Sequence, residues 1–246
     1  MKYRFLLRKK AKPGLLPVFH QPILGNLIDE VKFKYFDSEE DKNYEHFTFS
    51  TLKGQSKIER NFVNFNGNRV HWIVSALNNE WMEKLAACFM QQGSVLLDQM
   101  ECMFESYEIV PEPEFTNKMK YVCLSPIILF DPDTSHHDDA ESIDPLKDQF
   151  SDIMFDTLMD RMEKIPGNTY PFEEFSKFQV LPDLDYLEKQ IQAGKKVSRT
   201  IPLGEQKTKA YLFPFTLYAH PKVQEYVYNS GIGAMCSKGF GAVDLL

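Results

Sequence analysis

The stretch Gly231-Ile232-Gly233-Ala234-Met235-Cys236-Ser237-Lys238-Gly239-Phe240-Gly241 sets two G-x-G pairs around a lysine. Glycine loses more conformational freedom on folding than any other residue, so such a cluster implies a backbone that must come very close to something. One reading is a loop whose bare N–H groups face phosphates, with Lys238 adding charge. The other is a tight connection between the last helix and the last strand. A dinucleotide site would need a long helix after the glycines, inside a β-α-β unit. Only a few residues follow Gly241 here, and that reading is set aside.

The charge pattern bears on the choice. The net charge of −7 argues mildly against a nucleic-acid partner, but it is unevenly spread. Residues 1–12 carry Lys2, Arg4, Arg8, Lys9, Lys10 and Lys12 and no acid. A second basic run holds Lys195, Lys196, Arg199, Lys207 and Lys209, with Glu205 as its only acid. Acid concentrates from Asp131 to Glu163. Each basic run is either a solvated face or the footprint of a polyanion. His136-His137-Asp138-Asp139 has no further ligands at a fixed spacing and reads as an exposed loop, so no metal or cofactor is expected. Cys88, Cys102, Cys123 and Cys236 are far apart and read as reduced, mostly buried thiols. No stretch approaches the ~20 apolar residues of a membrane span. The early residues Met1 to Arg8 return to charge too soon for a signal-peptide core, and a cytoplasmic protein with no membrane partner is expected.

Hydrophobic periodicity supplies the elements that would position these residues. Tyr3, Phe5 and Leu7 alternate along a first strand. Pro22 opens a helix with Ile23, Leu24, Leu27, Ile28 and Val31 at 3–4 spacing. His46 to Leu52 reads as a strand, and Asn66-Gly67 predicts a hairpin turn within Asn61 to Val74. A helix through Trp81 and Met90 ends at Gly93, and Val95 to Val110 returns to strand. Strand, helix, strand, strand, helix, strand is the ferredoxin-like order. After a linker at Pro111–Pro113 the second half repeats it. A strand is expected over 121–130, a helix over 150–162, strands near Lys195–Thr200 and Ala210–Leu217, a helix from Pro221, and a last strand over Ala234–Leu245. The fold class expected is α+β, two tandem ferredoxin-like (RRM-like) βαββαβ domains over residues 1–112 and 118–246.

The glycine-rich segment closely resembles the C-terminal motif of the CRISPR-associated repeat-RNA-processing endoribonucleases, the Cas-six family of the RAMP superfamily. "HFTFSTL" at 46–52 is similar to that family's F-T-F-S-x-L strand, and "VCLSPIILF" at 122–130 to its L-S-P strand. "WIVSALNNEWMEKLAACFM" resembles the strand-then-helix of its first domain. The resemblance runs in order along nearly the whole chain. It implies CRISPR repeat RNA as partner, held at Gly231, Gly233, Lys238, Gly239 and Gly241 and along basic surface at Arg4, Lys195, Lys196 and Arg199. It also implies metal-independent cleavage, in which the RNA's own 2′-hydroxyl attacks the adjacent phosphate and leaves a 2′,3′-cyclic phosphate.

Such chemistry uses a base, an acid and a cation. The family's histidine usually follows the first helix, where this sequence has Tyr35-Phe36-Asp37. Two histidines lie nearby. His20 stands at the entry to the first helix, and His46 stands before Phe47 with Lys53 and Lys57 close in sequence. Tyr35 and Tyr44 are candidate proton-transfer partners. Two other functions stay open: a non-catalytic RAMP-type RNA-binding protein, and a protein-interaction module on the same fold. Other CRISPR effector-complex proteins are further candidate partners, and the state is a monomer or a homodimer.

Overall fold

The structure, a computed structural model, describes every residue except 11–13, 133–141, 166, 168–174, 176 and 205. The chain divides into two units. One holds Met1–Glu112 with Ser237–Gly239, the other Pro113–Cys236 with Phe240–Leu246.

In the first unit, β1 (Lys2–Lys9) buries Tyr3, Phe5 and Leu7 on one face, as its alternation predicts. It is followed by β2 (Leu15–Pro17), α1 (Gln21–Tyr35), the short α2 (Glu39–Lys42), β3 (Phe47–Phe49), β4 (Ser56–Glu59), β5 (Phe62–Phe65) and β6 (Arg69–Ala76). Then come α3 (Asn79–Gln92), β7 (Ser94–Leu97) and β8 (Met100–Val110). The main sheet has the order β3-β6-β1-β8-β7. Counting only the strands of the βαββαβ unit, that is 2-3-1-4, the ferredoxin-like order. The helix α3 starts where the Asn78 side chain accepts from Trp81 N–H and stops at Gly93, whose φ is +71°. The core it covers is aromatic: Phe89 stacks on Phe104 at 4.7 Å and meets Phe5 edge-on at 5.3 Å.

The hairpin expected at Asn66-Gly67 does not form. β5 pairs instead with β4 and β2 in a separate three-stranded sheet, and β6 joins the main sheet. The tight turn is at Arg60, with φ +55°. Asn66 and Gly67 both donate their N–H to Gln55 O and turn the corner from one sheet to the other.

The second unit runs β9 (Lys118–Cys123), α4 (Phe150–Glu163), β10 (Gln179–Pro182), α5 (Leu184–Gln192), β11 (Ser198–Leu203), β12 (Gln206–Tyr211), β13 (Phe215–Tyr218), α6 (Pro221–Ser230), a 3-10 turn at Cys236–Lys238 and β14 (Val243–Leu245). Its sheet order, β10-β13-β9-β14, is again 2-3-1-4. Three expectations are corrected here. The strand expected over 121–130 stops at Cys123. Pro126 has no N–H to continue a ladder, and the chain beyond docks the glycine-rich segment instead. The second sheet strand is Gln179–Pro182, while the basic residues near 195–200 belong to the β11–β12 hairpin, a sheet of its own. The last strand is Val243–Leu245, shorter than expected, because the 3-10 turn takes Cys236–Lys238. No helix among the described residues is long and apolar enough to cross a membrane.

Candidate nucleic-acid interface

The glycine-rich segment is built from close contacts. A Cβ at Gly233 would lie 2.5 Å from Ile128 O, and one at Gly241 1.9 Å from Ile232 O. One at Gly239 would enter the Phe49 ring at 2.2 Å. All three glycines, and Gly231, have positive φ between +63° and +86°. The backbone is bonded into the second unit as well: Ile232 N–H to Gly241 O, Ala234 N–H to Ile128 O and Gly241 N–H to Pro126 O. The fully buried Ser125 Oγ accepts from Ala242 N–H, which accounts for the Ser-Pro pair at 125–126. The reading of a bare loop facing phosphates is therefore corrected at Gly231, Gly233, Gly239 and Gly241. These glycines are buried, and at Gly233, Gly239 and Gly241 protein fills the space a side chain would need. The segment presents Lys238 to solvent, with its side chain 56% exposed, and Ser237 at half exposure.

Arg161, in the last turn of α4, secures this segment from within. Its guanidinium donates to Ser230 O at 2.7 Å, Gly231 O at 3.0 Å and Gly233 O at 3.1 Å, and lies 5.3 Å from the centre of the Tyr226 ring. Three carbonyls at a helix C-terminus are what a planar, multiply donating cation satisfies. The sequence reading missed Arg161, which stands about seventy residues from its partners in the chain.

In the first unit Lys238 Nζ sits 3.4 Å from Asp29 Oδ2, and Lys32 Nζ sits 3.4 Å from Asp29 Oδ1. Lys32 is nearly buried, with its ammonium 5.4 Å from the centre of the Phe47 ring. Burial pushes its pKa down, against the opposing pull of Asp29. Lys32 was also missed. It follows Ile28 by four residues, on the apolar stripe of α1, and a charge on that stripe was the available signal.

The histidine candidates separate. His20 is 3% exposed; its Nδ1 is 3.0 Å from Pro17 O, and its Nε2 accepts from Leu52 N–H at 3.0 Å. Nε2 therefore carries no proton, and the ring is a buried tie between the start of α1 and the chain after β3. His20 is corrected to a structural role. His46 is half-buried just before β3, with its ring edge-on to Tyr44 at 5.7 Å. The Tyr44 hydroxyl accepts from Asn78 N–H. Tyr35 closes α1, with Lys34 Nζ 4.8 Å from its ring centre.

Lys53 does not join His46. Phe47 pairs with Ala76, and Lys53 with His71, five residues away along β6, which is about 17 Å of strand. Lys53 and His71 exchange both backbone hydrogen bonds, so their side chains share the sheet face that carries Arg8 and Arg69.

The basic runs also differ. Arg4 meets Glu108, Arg8 and Arg69 meet Glu105, and Lys10 meets Glu101. The two arginines hold the Glu105 carboxyl down to about 2. Arg4 is thus already neutralised by β8. In contrast, Lys195, Lys196, Arg199, Lys207 and Lys209 are exposed, and none makes an ion pair with an acid among the described residues. His136-His137-Asp138-Asp139 and Glu205 lie outside the described residues.

Two βαββαβ units with a glycine-rich segment before the last strand define a tandem ferredoxin-like protein. The family model "CRISPR associated protein Cas6, C-terminal" matches residues 110–245, more than half of the chain, and the chain belongs to that family. Among solved structures, one described as CRISPR associated protein Cas6 is 17% identical with a TM-score of 0.81, over 100% of this chain and 99% of the other. A RAMP protein described as binding different RNA substrates is 16% identical, with a TM-score of 0.82 over 100% and 99%. A Cas6-related protein of Pyrococcus furiosus is 15% identical, with a TM-score of 0.83 over 100% and 98%. At such identities these similarities carry the fold. No curated protein matches the sequence.

Proposed function

We propose that this protein binds CRISPR repeat RNA and cuts it within the repeat, without a metal, by attack of the RNA's own 2′-hydroxyl. The observation that carries the binding is charge placement. In a chain of net charge −7, the five cations between 195 and 209 have no acid partner among the described residues, and Lys238 is held at the surface of a rigid turn. A protein otherwise rich in acid that leaves such a cluster uncompensated is suited to a polyanion.

For cleavage, His46 is the base. Its ring is half-buried rather than enclosed, and imidazole is the side chain chemically suited to exchanging a proton with a hydroxyl in neutral solution. The ring nitrogen removes the 2′-hydroxyl proton, O2′ bonds to phosphorus, and the bond from phosphorus to the 5′-oxygen breaks. The departing oxygen takes up a proton, leaving a 2′,3′-cyclic phosphate and a 5′-hydroxyl. Tyr35 and Lys53 have no role in this version, since Lys53 lies a strand's length from His46.

A second reading, a protein that binds repeat RNA without cutting it, is favoured by the same dispersal of candidates. His20 is locked by two hydrogen bonds and Lys53 is remote. Incubating end-labelled repeat RNA with the protein in EDTA separates the two. A single cut ending in a 2′,3′-cyclic phosphate, lost in His46→Ala, is the expected result. Tight binding with the RNA intact overturns cleavage and leaves the binder. A cut that persists in His46→Ala removes His46 from the reaction.

A further inference from the structure

The β11–β12 hairpin carries a cavity of about 200 Å³ lined by Ser142, Thr200, Lys207, Thr208 and Lys209. Each of these described lining residues ends in an ammonium or a hydroxyl, and none of them is acidic. The register explains how they meet. Thr200 pairs with Lys209 and Pro202 with Lys207, and residues directly opposite share a face. Thr200, Lys207 and Lys209 therefore project from one exposed face, while Ile201, Thr208 and Ala210 point the other way and are buried, so that Thr208 borders the cavity from the opposite side of its strand. Ser142 is held beside them by its bridge to Phe130, and its Oγ accepts from Leu129 N–H.

Two lysines at i and i+2 on a strand stand about 7 Å apart. That spacing is comparable with the distance between successive phosphates along a ribose-phosphate chain. A face with two point charges, a hydroxyl donor beside them and, among the described lining residues, no aromatic ring suits backbone phosphates and offers no platform for a base to stack on.

We propose that the outer face of this hairpin grips two successive phosphates of one RNA strand, Lys207 taking one and Lys209 the next, with the Thr200 and Ser142 hydroxyls donating to the second. The proposal deepens the RNA-binding reading and rests on it. It assigns to Lys207 and Lys209 a contact that is independent of sequence and separate from any at Lys238.

The test compares wild type, the Lys207→Ala/Lys209→Ala pair and the Lys207→Arg/Lys209→Arg pair. Anisotropy with labelled repeat RNA is read at several salt concentrations. Both lysines are exposed, and melting temperatures matching wild type verify that the variants fold. The alanine pair should flatten the slope of log K against log salt by about 1.4, two phosphate contacts at ~0.7 each for a single strand, and the arginine pair should keep it. A wild type that binds with an alanine pair of unchanged slope overturns the hairpin grip alone. A wild type that does not bind overturns the RNA reading itself.

Discussion

Gly204 and Gly241 have the same φ, +63°, but different surroundings, and this isolates what the glycine-rich segment requires. A Cβ at Gly204 meets nothing within 4 Å, whereas one at Gly241 would stand 1.9 Å from the backbone oxygen of Ile232. Alanine in the left-handed region costs about 1–2 kcal/mol at either site. At Gly241 the chain must also move, and the hydrogen bond from Ile232 N–H to Gly241 O is broken or bent. A lost hydrogen bond of about 1 kcal/mol and overpacking of about 1–3 kcal/mol bring the total near 4 kcal/mol. For a unit of this size each kcal/mol lowers the melting temperature by about 3–4 °C. Calorimetry should therefore find Gly204→Ala lower by a few degrees and Gly241→Ala by about 12–16 °C. Equal losses would refute the close-packing explanation and reduce Gly241 to a conformational requirement. A normal melting temperature in Gly241→Ala with RNA binding lost would restore the idea of bare backbone meeting phosphate.

Other expectations follow from particular contacts. Arg161→Lys keeps the charge but cannot reach three carbonyls at once. It should lower the melting temperature and weaken RNA binding, whereas loss of neither would show that Arg161 does not hold the turn. His20→Ala leaves the buried Leu52 N–H without its acceptor and should cost about 1–3 kcal/mol in denaturant unfolding, with any cleavage by the folded fraction unchanged. Glu105 has its folded pKa depressed to about 2 by Arg69 and Arg8. Its contribution is present above the ordinary carboxylate range and is lost as pH falls from about 4.5 through about 2. Melting temperature should fall over that window less steeply in Glu105→Gln than in wild type.

Legibility in the sequence tracked how local each signal was. β1, α1 and α3 show their periods and caps within a few residues, at Tyr3-Phe5-Leu7, Pro22, Asn78 and Gly93, and the first βαββαβ order could be read from them. β10 is four residues long and ends in a proline, too short for alternation to register, so the second unit's order was reached with the wrong strand. Asn66-Gly67 has the composition of a hairpin turn, yet the partner of β5 was chosen by pairing with β4 and β2, which no two-residue signal reveals. The site was less legible. Its histidine roles hang on distant partners: His20 bonds to Leu52 N–H, thirty-two residues away. The glycine cluster was legible as a need for close approach, while what approaches is the protein's own backbone and the Phe49 ring.

The most direct measurement is the salt dependence of repeat-RNA affinity for the unmodified protein. Lys195, Lys196, Arg199, Lys207, Lys209 and Lys238, all exposed, would displace counterions from six phosphates at most, a log–log slope approaching about −4 for a single strand. A slope of that order is expected, and affinity that is absent, or indifferent to salt, would contradict a protein made to hold RNA by its phosphates.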